Sequence, residues 1–381
     1  MKVLFVTHYW EMLGANRSML QLIKEVRDLG VTPLVLGPKL PEDKTGTLAL
    51  SLEINNIEYI SYDFKISKGI SPIKNIARHF FNRLILSSVV GQLRNENIEL
   101  VHSNSSVIDF GALIARKLSV PHIWHLREFG LKDYNLKTPF GENAQKMYFK
   151  GGAVYIAISN IIKEHFRQFI PANKLEVIYN GIKFDGIVAG HRNEVTQFCL
   201  VGYMMKGKNQ LDALKAVKVL KDRCVKDFKV TFIGGWDDCY LGVLKQYIRD
   251  NDLDEYIDFT GQIGNVSQVM STMDVGLMLS ESEAFGRVTV EYMMHNLAVI
   301  ASDAGANPEI IEDGITGILY PLHDHISLAD KMQLFIENHS ILEKYAKCGY
   351  ESAMRQFQST VNSSKIYQLY NRLLNNAHVD I

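Results

Sequence analysis

The sequence has 381 residues, a length that favours two domains over a single core. Hydrophobic residues make up 47% of it and charged residues 22%, the composition of an ordinary soluble globular protein. The net charge of -1 excludes a global field that would attract nucleic acid, and no apolar run reaches the roughly 18–20 residues of a membrane-spanning helix.

The chain begins with a strand–helix–strand unit. Lys2–Thr7 and Thr32–Leu36 are predicted strands, and the apolar spacing of Asn16–Leu29 predicts the helix between them. The unit lacks Gly-x-Gly-x-x-Gly, which disfavours an NAD-dependent oxidoreductase. Gly14, just before the helix, permits a close approach of the backbone to a ligand. Arg17 is either a phosphate contact or a surface arginine.

A basic, apolar stretch covers residues 64–95, which contain no acidic side chain. Its lysines and arginines are interleaved with isoleucines, leucines and phenylalanines, a pattern typical of a basic amphipathic helix. Such a helix either lies on an anionic membrane surface, or covers the sheet with its apolar face and leaves the basic face in water. The sequence is compatible with both.

The first half of the chain ends in a strand, a polar loop and a linker. Val120–Trp124 is a predicted strand that leads into His125, which is either a ligand contact or a structural histidine. Residues 184–194 contain two glycines and show little periodicity, so they are the predicted interdomain linker.

The second half opens with another predicted strand, Thr196–Val201, and a glycine-containing turn. Gly202 begins the turn, and Lys206 and Lys208 precede a predicted helix. Cations and free backbone N–H groups at a helix start suit phosphate binding. The alternative is a pair of solvated loop lysines.

A second strand–turn–helix pattern follows Val275–Leu279. Glu283 lies in the turn, the helix is predicted to begin at Phe285–Arg287, and Glu291 lies within the helix among apolar residues. The helix start favours an anion, and a carboxylate in apolar surroundings needs hydroxyls or other donors. The arrangement suits a ligand with phosphates and hydroxyls, although two solvated glutamates are the alternative.

These residues carry a family resemblance. The pattern Glu-Ala-Phe-Gly-(four residues)-Glu from Glu283 to Glu291 resembles the Glu-x7-Glu signature of the retaining glycosyltransferases of family 4 (group 1). Ser302–Gly317 is similar to the second signature of that family, with a small-residue turn before Pro-Glu and a later Asp-Gly…Gly turn. Tyr179–Ile182 resembles the motif that closes the first domain.

Two further motifs resemble the family's phosphate-binding loops. Leu13–Ser18 is similar to Gly-Gly-Ala-Glu-Arg-Ser, with Leu13 in place of the first glycine and Asn16 in place of the glutamate. The turn that begins at Gly202 has Lys208 at the position of the family's diphosphate lysine, but Tyr203 at the position of its arginine.

The resemblance implies a role for each candidate residue. Glu283, His125 and Lys208 form the implied catalytic group, in which Glu283 contacts the transferred sugar and His125 contacts the donor sugar or the acceptor. Glu291 binds ribose hydroxyls, and the turn at Gln262–Ile263 borders the nucleobase. The implied donor-binding residues are Gly14, Arg17, Gly202, Lys206, Lys208, Gln262, Ile263, Phe285, Gly286, Arg287 and Glu291.

The same resemblance implies the GT-B fold, an α/β architecture of two doubly wound, Rossmann-like parallel-sheet domains facing a cleft. The expected N-terminal, acceptor-side domain covers residues 1–183, and the nucleotide-sugar-binding domain covers 195–355. A C-terminal helix, 356–381, is expected to cross back to the first domain, with Tyr367, Tyr370 and Leu374 as anchors.

The implied function is transfer of a sugar from a nucleotide diphosphate sugar, a UDP- or GDP-sugar, to a hydroxyl of a lipid-linked or cell-surface glycan precursor, with retention. No cofactor and no metal are expected, because Asp252-Leu253-Asp254 lies at the wrong end of a strand for a donor site. The expected partners are the donor, a glycan or glycolipid acceptor and a membrane contact through residues 64–95, with no nucleic acid. Isolated cysteines and the absence of a signal peptide predict a cytoplasmic protein. The family resemblance and the basic stretch at 64–95 imply a peripheral position at the inner face of the membrane.

Two alternatives share this scaffold. One is a GT-B-fold sugar-nucleotide epimerase. The other is a non-catalytic sugar-nucleotide-binding subunit, which the tyrosine at position 203 and the altered loop after His125 would permit.

Overall fold

The computed structural model describes residues 1–65, 72–130, 149–184, 186–188 and 194–379. The chain divides into two compact units. The first combines Met1–Gly181 with the C-terminal segment Ser359–Ile381, and the second is Ile182–Gln358. The C-terminal helix is therefore part of the first unit. None of the helices within the described ranges is long and apolar enough to cross a membrane.

The first unit contains a parallel sheet in the order β3-β2-β1-β4-β5-β6-β7. Its strands are β1 (Lys2–Val6), β2 (Thr32–Gly37), β3 (Glu58–Ser61), β4 (Leu100–Ser103), β5 (His122–Leu126), β6 (Val154–Ala157) and β7 (Leu175–Val177). The described residues of Met1–Gly181 form the helices α1 (Gly14–Asp28), α2 (Leu48–Ile54), α3 (Pro72–Leu93), α4 (Phe110–Leu118) and α5 (Asn160–Phe166). The order reverses between β1 and β4, where parallel α/β sheets open a crevice at the carboxyl ends of their strands.

The sheet of the first unit is buried on both faces. Along β1, Val3 and Phe5 face one apolar core, whereas Leu4 and Val6 face another. Successive side chains of a strand point to opposite faces, so a strand covered on both sides is continuously apolar. This is why Lys2–Thr7 was recognisable as a strand.

The second unit contains a six-stranded parallel sheet in the order β10-β9-β8-β11-β12-β13. Its strands are β8 (Thr196–Val201), β9 (Phe228–Ile233), β10 (Ile257–Gly261), β11 (Val275–Met278), β12 (Ala298–Ser302) and β13 (Ile318–Tyr320). Its helices are α6 (Gln210–Asp222), α7 (Asp238–Asp250), α8 (Val266–Met270), α9 (Arg287–Met294), α10 (Asn307–Ile310), α11 (His325–Glu337) and α12 (His339–Phe357). The reversal lies between β8 and β11.

The C-terminal helix α13 (Ser359–Val379) packs on the first unit through one face. Ile366, Leu369 and Tyr370 are buried in the same core as Val3 and Phe5. Of the three predicted anchors only Tyr370 is fully buried, because Tyr367 and Leu374 lie at the edge of the buried face.

The predicted linker, 184–194, is described only in part, since residues 185 and 189–193 lie outside the described ranges. Its first residue, Phe184, packs edge-on against His295 and Tyr350 of the second unit. The start of the predicted linker is thus bound into the second unit.

The two halves of α3, the helix of the basic stretch, differ in burial. Its C-terminal half covers the sheet with Leu86, Val89 and Val90, which are buried. Its N-terminal half leaves Ile73 79%, Phe80 60% and Leu84 79% exposed. Residues 66–71, which include Lys68 of the basic stretch, lie outside the described ranges.

Candidate active site

The carboxyl ends of β8, β11 and β12 hold one set of loops in the second unit. The backbone N–H of Glu281 donates to the carbonyl of Gly207 at 3.2 Å, and the side-chain amide of Asn209 donates to the carbonyl of Leu279 at 2.8 Å. These bonds join the loop after β8 to the loop after β11. The site therefore lies at the strand-order reversal, where such sheets bind ligands.

Lys208 and Glu283 meet across these two loops. Lys208 Nζ lies 2.5 Å from Glu283 Oε1, and both side chains are partly exposed. The sequence predicted a role for each residue but not their contact, because 75 residues separate them. The pair places a partly exposed cation and carboxylate where the two loops meet.

The backbone of Glu283 is held by the turn after β12. Gly305 has φ +60°, and a Cβ atom placed on it would lie 2.4 Å from the backbone nitrogen of Glu283. The N–H of Ala306 donates to the carbonyl of Glu283 at 2.9 Å. Only glycine at position 305 permits this approach, since any side chain would displace the Glu283 backbone.

Helix α9 begins at Arg287, as the sequence predicted, after Gly286 in the left-handed conformation with φ 79°. Phe285 is buried and packs edge-on against Phe357. These two residues fix the position of the helix start, whose first-turn N–H groups carry the positive end of the helix dipole.

Arg287 and Glu291 form an ion pair on α9, with Arg287 Nε 2.8 Å from Glu291 Oε1. The cation is at the N-terminal end and the carboxylate follows it, which is the orientation that the helix dipole disfavours. Both side chains are partly exposed. The pair therefore adds little to the stability of the helix.

The turn after β8 packs against the end of β9. A Cβ on Gly234 would lie 2.3 Å from the carbonyl oxygen of Gly202, so the backbones are in close contact. Lys206 is exposed. Tyr203, at the position of the family's arginine, is 53% exposed, and its hydroxyl donates to the carbonyl of Trp236 at 2.6 Å. Its polar atom is therefore directed back to the protein.

The loop after β10 lies beside this turn, because the N–H of Gly234 donates to the carbonyl of Gly261 at 3.0 Å. Gln262 is exposed and Ile263 is half-buried. Asp252 and Asp254 lie before β10, at the opposite edge of the sheet, and are exposed. Within the described ranges no three His, Cys, Asp or Glu residues are grouped to hold a metal ion.

The prediction for the strand before His125 was wrong by two residues. Strand β5 spans His122–Leu126, so His125 lies within the strand and is only 2% exposed. Its Nδ1 atom lies 3.1 Å from His102 Nε2. Burial, and the nearby charge of Arg127, hold the pKa of His125 well below its ordinary value. His125 is therefore neutral at neutral pH.

Arg127 and Glu128, in the altered loop after His125, are buried. The Arg127 guanidinium donates through Nε to Asn104 Oδ1 at 2.6 Å and through Nη1 to Asn180 Oδ1. One carboxylate oxygen of Glu128 accepts from the Ser105 hydroxyl and from the N–H and hydroxyl of Ser106, each at 2.6 Å. Both residues organise the ends of β4 and β5.

The loop before α1 is shaped by Asn16, the residue at the family's glutamate position. Asn16 accepts from the Thr7 hydroxyl at 2.8 Å and donates to the carbonyls of Tyr9 and Glu11, each at 2.9 Å. Gly14 begins α1, with open space where a side chain would be. Arg17 is exposed, and its Nε donates to the carbonyl of Met12 at 3.0 Å.

Several organising residues were not predicted as site residues. They are Asn104, Asn180, His102, Tyr370, Asn209 and Gly305. Gly305 had a local signal, a small-residue turn before Pro-Glu. The contact of His102 with Tyr370 had none, because 268 residues separate them.

Two family models match consecutive parts of the chain. The model for glycosyltransferase family 4 matches residues 13–185, and the model for glycosyl transferases group 1 matches residues 187–354. The chain belongs to the group 1, family 4 glycosyltransferases.

Relatives of this glycosyltransferase are distant. The phosphatidyl-myo-inositol mannosyltransferase of Mycobacterium leprae is 26% identical over 56% of this chain, and the match spans 58% of that relative's length. The uncharacterized glycosyltransferase MJ1178 of Methanocaldococcus jannaschii is 25% identical over 92% of this chain and 93% of its own. The capsular polysaccharide biosynthesis glycosyltransferase CapH of Staphylococcus aureus is 24% identical over 57% of this chain and 63% of its own.

Solved structures place the glycosyltransferase in the GT-B fold, as the sequence predicted. A glycosyltransferase from Rickettsia africae matches 98% of this chain and 99% of its own with a TM-score of 0.83 and 20% identity. HepE of Anabaena, in complex with UDP, matches 98% of this chain and 100% of its own with a TM-score of 0.80 and 19% identity.

Proposed function

We propose that this glycosyltransferase moves a sugar from a UDP-sugar to a hydroxyl acceptor, with retention at the anomeric carbon. The observation that carries the proposal is the contact of Lys208 with Glu283 beside the start of α9. A cation, a carboxylate and the N–H groups at a helix start are the partners that a diphosphate and a sugar need.

The donor would bind at the loops after β8 and β11. Lys208 and Lys206 would face the diphosphate, together with the N–H groups of Phe285, Gly286 and Arg287. The carboxylate of Glu291 would accept from the ribose hydroxyls and that of Glu283 from hydroxyls of the transferred sugar. Uridine is proposed over guanosine because HepE was crystallised with UDP and with UDP-glucose.

The proposed reaction is a front-face displacement. The bond between the anomeric carbon and the phosphate oxygen breaks, and the acceptor oxygen bonds to the same face of the anomeric carbon. The acceptor proton passes to the departing phosphate oxygen. Lys208 and the helix N–H groups stabilise the charge that develops on the diphosphate, so the proposal needs no metal. Transfer that persists in EDTA, measured by UDP release, is the expected result.

The acceptor is proposed to be a glycan or glycolipid at a membrane surface. Relatives include a phosphatidyl-myo-inositol mannosyltransferase and a capsular polysaccharide glycosyltransferase. Ile73, Phe80 and Leu84 form an exposed apolar stripe on α3, and the exposed Lys74 and Arg83 lie beside it. A basic helix with exposed apolar side chains binds anionic bilayers peripherally. This proposal places the protein at the inner face of the membrane.

Vesicle sedimentation tests the membrane contact. We expect the protein to sediment with phosphatidylglycerol-containing vesicles and not with pure phosphatidylcholine vesicles. A Phe80→Ser/Leu84→Ser double variant should remain in the supernatant, whereas the exposed Val243→Ser on α7 should behave as wild type. Equal sedimentation of the double variant and wild type would contradict the proposal.

A second candidate function is suggested by Tyr203. Its hydroxyl bonds to Trp236, so the turn lacks the cation that the family has there. A sugar-nucleotide-binding subunit without transferase activity would tolerate this loss.

A thermal-shift screen with UDP, GDP, ADP and NAD, followed by product analysis with the matching sugar donors, separates these functions. Stabilisation by UDP, abolished in Lys208→Ala and Glu291→Ala, together with a glycosylated product, supports the proposal. Binding without any product favours the non-catalytic subunit, and an epimerised sugar nucleotide favours the epimerase. Stabilisation by NAD alone would overturn the proposal. A ligand at a hundred times its Kd adds about 2.7 kcal/mol to the free energy of unfolding.

A further inference from the structure

A chain of three buried side chains crosses the core of the first unit. The hydroxyl oxygen of Tyr370, on α13, lies 2.6 Å from His102 Nδ1 on β4. His102 Nε2 lies 3.1 Å from His125 Nδ1 on β5. All three residues are nearly inaccessible to solvent. The chain connects the C-terminal helix to a residue at the carboxyl edge of the sheet.

Arg127 sets the direction of these hydrogen bonds. Its Nη2 lies 3.3 Å from His125 Nδ1, and a guanidinium can only donate. His125 Nδ1 is therefore an acceptor, and His102 Nε2 must carry the proton in the bond between the two rings. In a neutral His102, Nδ1 then accepts from Tyr370.

The protonation states agree with this direction. Burial first, and then the charge of Arg127, lower the pKa of both histidines well below the ordinary value. Burial raises the pKa of Tyr370, so its hydroxyl keeps its proton. With both rings neutral, His125 carries its proton on Nε2.

The Nε2 atom of His125 is buried and has no hydrogen-bond partner among the described residues. His125 lines a small pocket of about 20 Å³, room for one water-sized group such as a hydroxyl, together with Ser18, Asn180, Ser359, Asn362 and Ser363. Asn362 Oδ1, on α13, is also buried without a partner in the described chain. A donor and an acceptor that share a pocket are complementary to a hydroxyl, which both accepts and donates.

We propose that Tyr370 and His102 are positioning residues that fix His125 as a hydrogen-bond donor, through Nε2, to a hydroxyl group bound in this pocket. The inference rests on the proposed function only in taking that hydroxyl to belong to a sugar. His125 then has no role as a base, because its lone pair is occupied by His102 and Arg127.

Nitrogen NMR of histidine-labelled protein tests the proton positions directly. We expect His125 and His102 each to carry the proton on Nε2 and to have an unprotonated Nδ1. The Tyr370→Phe variant should shift the His102 and His125 ring signals, whereas Tyr367→Phe, on the same helix, should leave them unchanged. A proton on His125 Nδ1 in the wild-type protein would overturn the inference, and this readout does not depend on UDP binding.

Ligand occupancy is tested with methyl glycosides of glucose, galactose and mannose, which present hydroxyls without charge. At least one should shift the His125 Nε2 signal, with an affinity severalfold lower in Tyr370→Phe than in Tyr367→Phe. If none shifts this signal, the pocket holds water alone and the assignment of a sugar hydroxyl is overturned. Loss of UDP binding would contradict the proposed function without changing either result.

Discussion

Lys208 and Glu283 form an ion pair between two loops of the second unit, with Lys208 Nζ 2.5 Å from Glu283 Oε1. A diphosphate that binds Lys208 must compete with this carboxylate, and a sugar that binds Glu283 must compete with the ammonium. Donor binding thus exchanges one ion pair for two new contacts. The pair is only partly buried, so this exchange costs little.

Glu283→Gln should separate donor binding from turnover. Without the carboxylate, Lys208 is available to the diphosphate, so calorimetric affinity for UDP should stay within about threefold of wild type or improve. Transfer should fall by about 10²–10³-fold, because a charged contact to the sugar is lost. Lys208→Ala should instead weaken UDP binding by roughly 10–100-fold. A large loss of UDP affinity in Glu283→Gln would show that Glu283 holds the nucleotide.

Glu291→Ala should weaken UDP binding by roughly 10–100-fold while changing the free energy of unfolding by less than about 0.5 kcal/mol. The contact with Arg287 contributes little to helix stability because its orientation opposes the dipole. Asp222→Ala is the matched control, since Asp222 pairs with Lys218 at the same spacing on α6. Calorimetry and urea unfolding measure both quantities. Equal UDP affinity in the two variants would contradict a ribose contact at Glu291.

Gly305→Ala should reduce transfer activity as well as stability, a larger effect than the left-handed backbone conformation alone would cause. A left-handed alanine costs about 1–2 kcal/mol, and here the methyl group would also collide with the backbone of Glu283. Gly314→Ala isolates the conformational cost, because Gly314 has φ +77° and open space around it. Only the Gly305 variant should lose transfer activity in addition to stability. Similar activity in both variants would show that the turn does not position Glu283.

Tyr203→Arg should strengthen UDP binding by about tenfold and make it more salt-dependent, because it restores a cation to the phosphate turn. Tyr203→Phe removes only the bond to Trp236 and should leave UDP affinity nearly unchanged. Titrations at low and at raised salt measure both effects. No gain in the arginine variant would indicate that this turn lies away from the diphosphate.

Stability should fall as the pH falls below about 6.5, the ordinary pKa of histidine in an unfolded chain. Burial lowers the pKa of His122 to about 3, and the pKa values of His102 and His125 are also lowered well below the ordinary value. The unfolded chain therefore binds protons that the native protein does not. Each of these histidines should lower the free energy of unfolding by up to about 1.4 kcal/mol for every unit by which the pH falls.

Urea unfolding between about pH 7 and about pH 5 measures this dependence. The His122→Gln variant lacks the contribution of one buried histidine to this pH dependence, so its free energy of unfolding should vary less steeply with pH. A wild-type free energy of unfolding that stays constant over this range would mean that the native histidines are protonated.

The sequence by itself determined the family, the two-unit α/β architecture and the loops that follow β8 and β11. These features are local: a buried strand is continuously apolar, and the helix starts are marked by Gly202, Gly286 and the charged residues beside them. Gln210–Asp222 and Arg287–Met294 lie where periodicity and turn residues predicted helices.

The tertiary structure decided which of those residues meet. The contact of Lys208 with Glu283 depends on β8 and β11 being neighbours, and the approach of Gly305 to Glu283 depends on the adjacent β12. His125 was predicted in a loop because Trp124 ends the most apolar run, yet pairing with β6 extends the strand through Leu126. The proton position on His125 depends on its neighbour Arg127 and on His102, which strand pairing places beside it, and packing of α13 brings Tyr370 to His102.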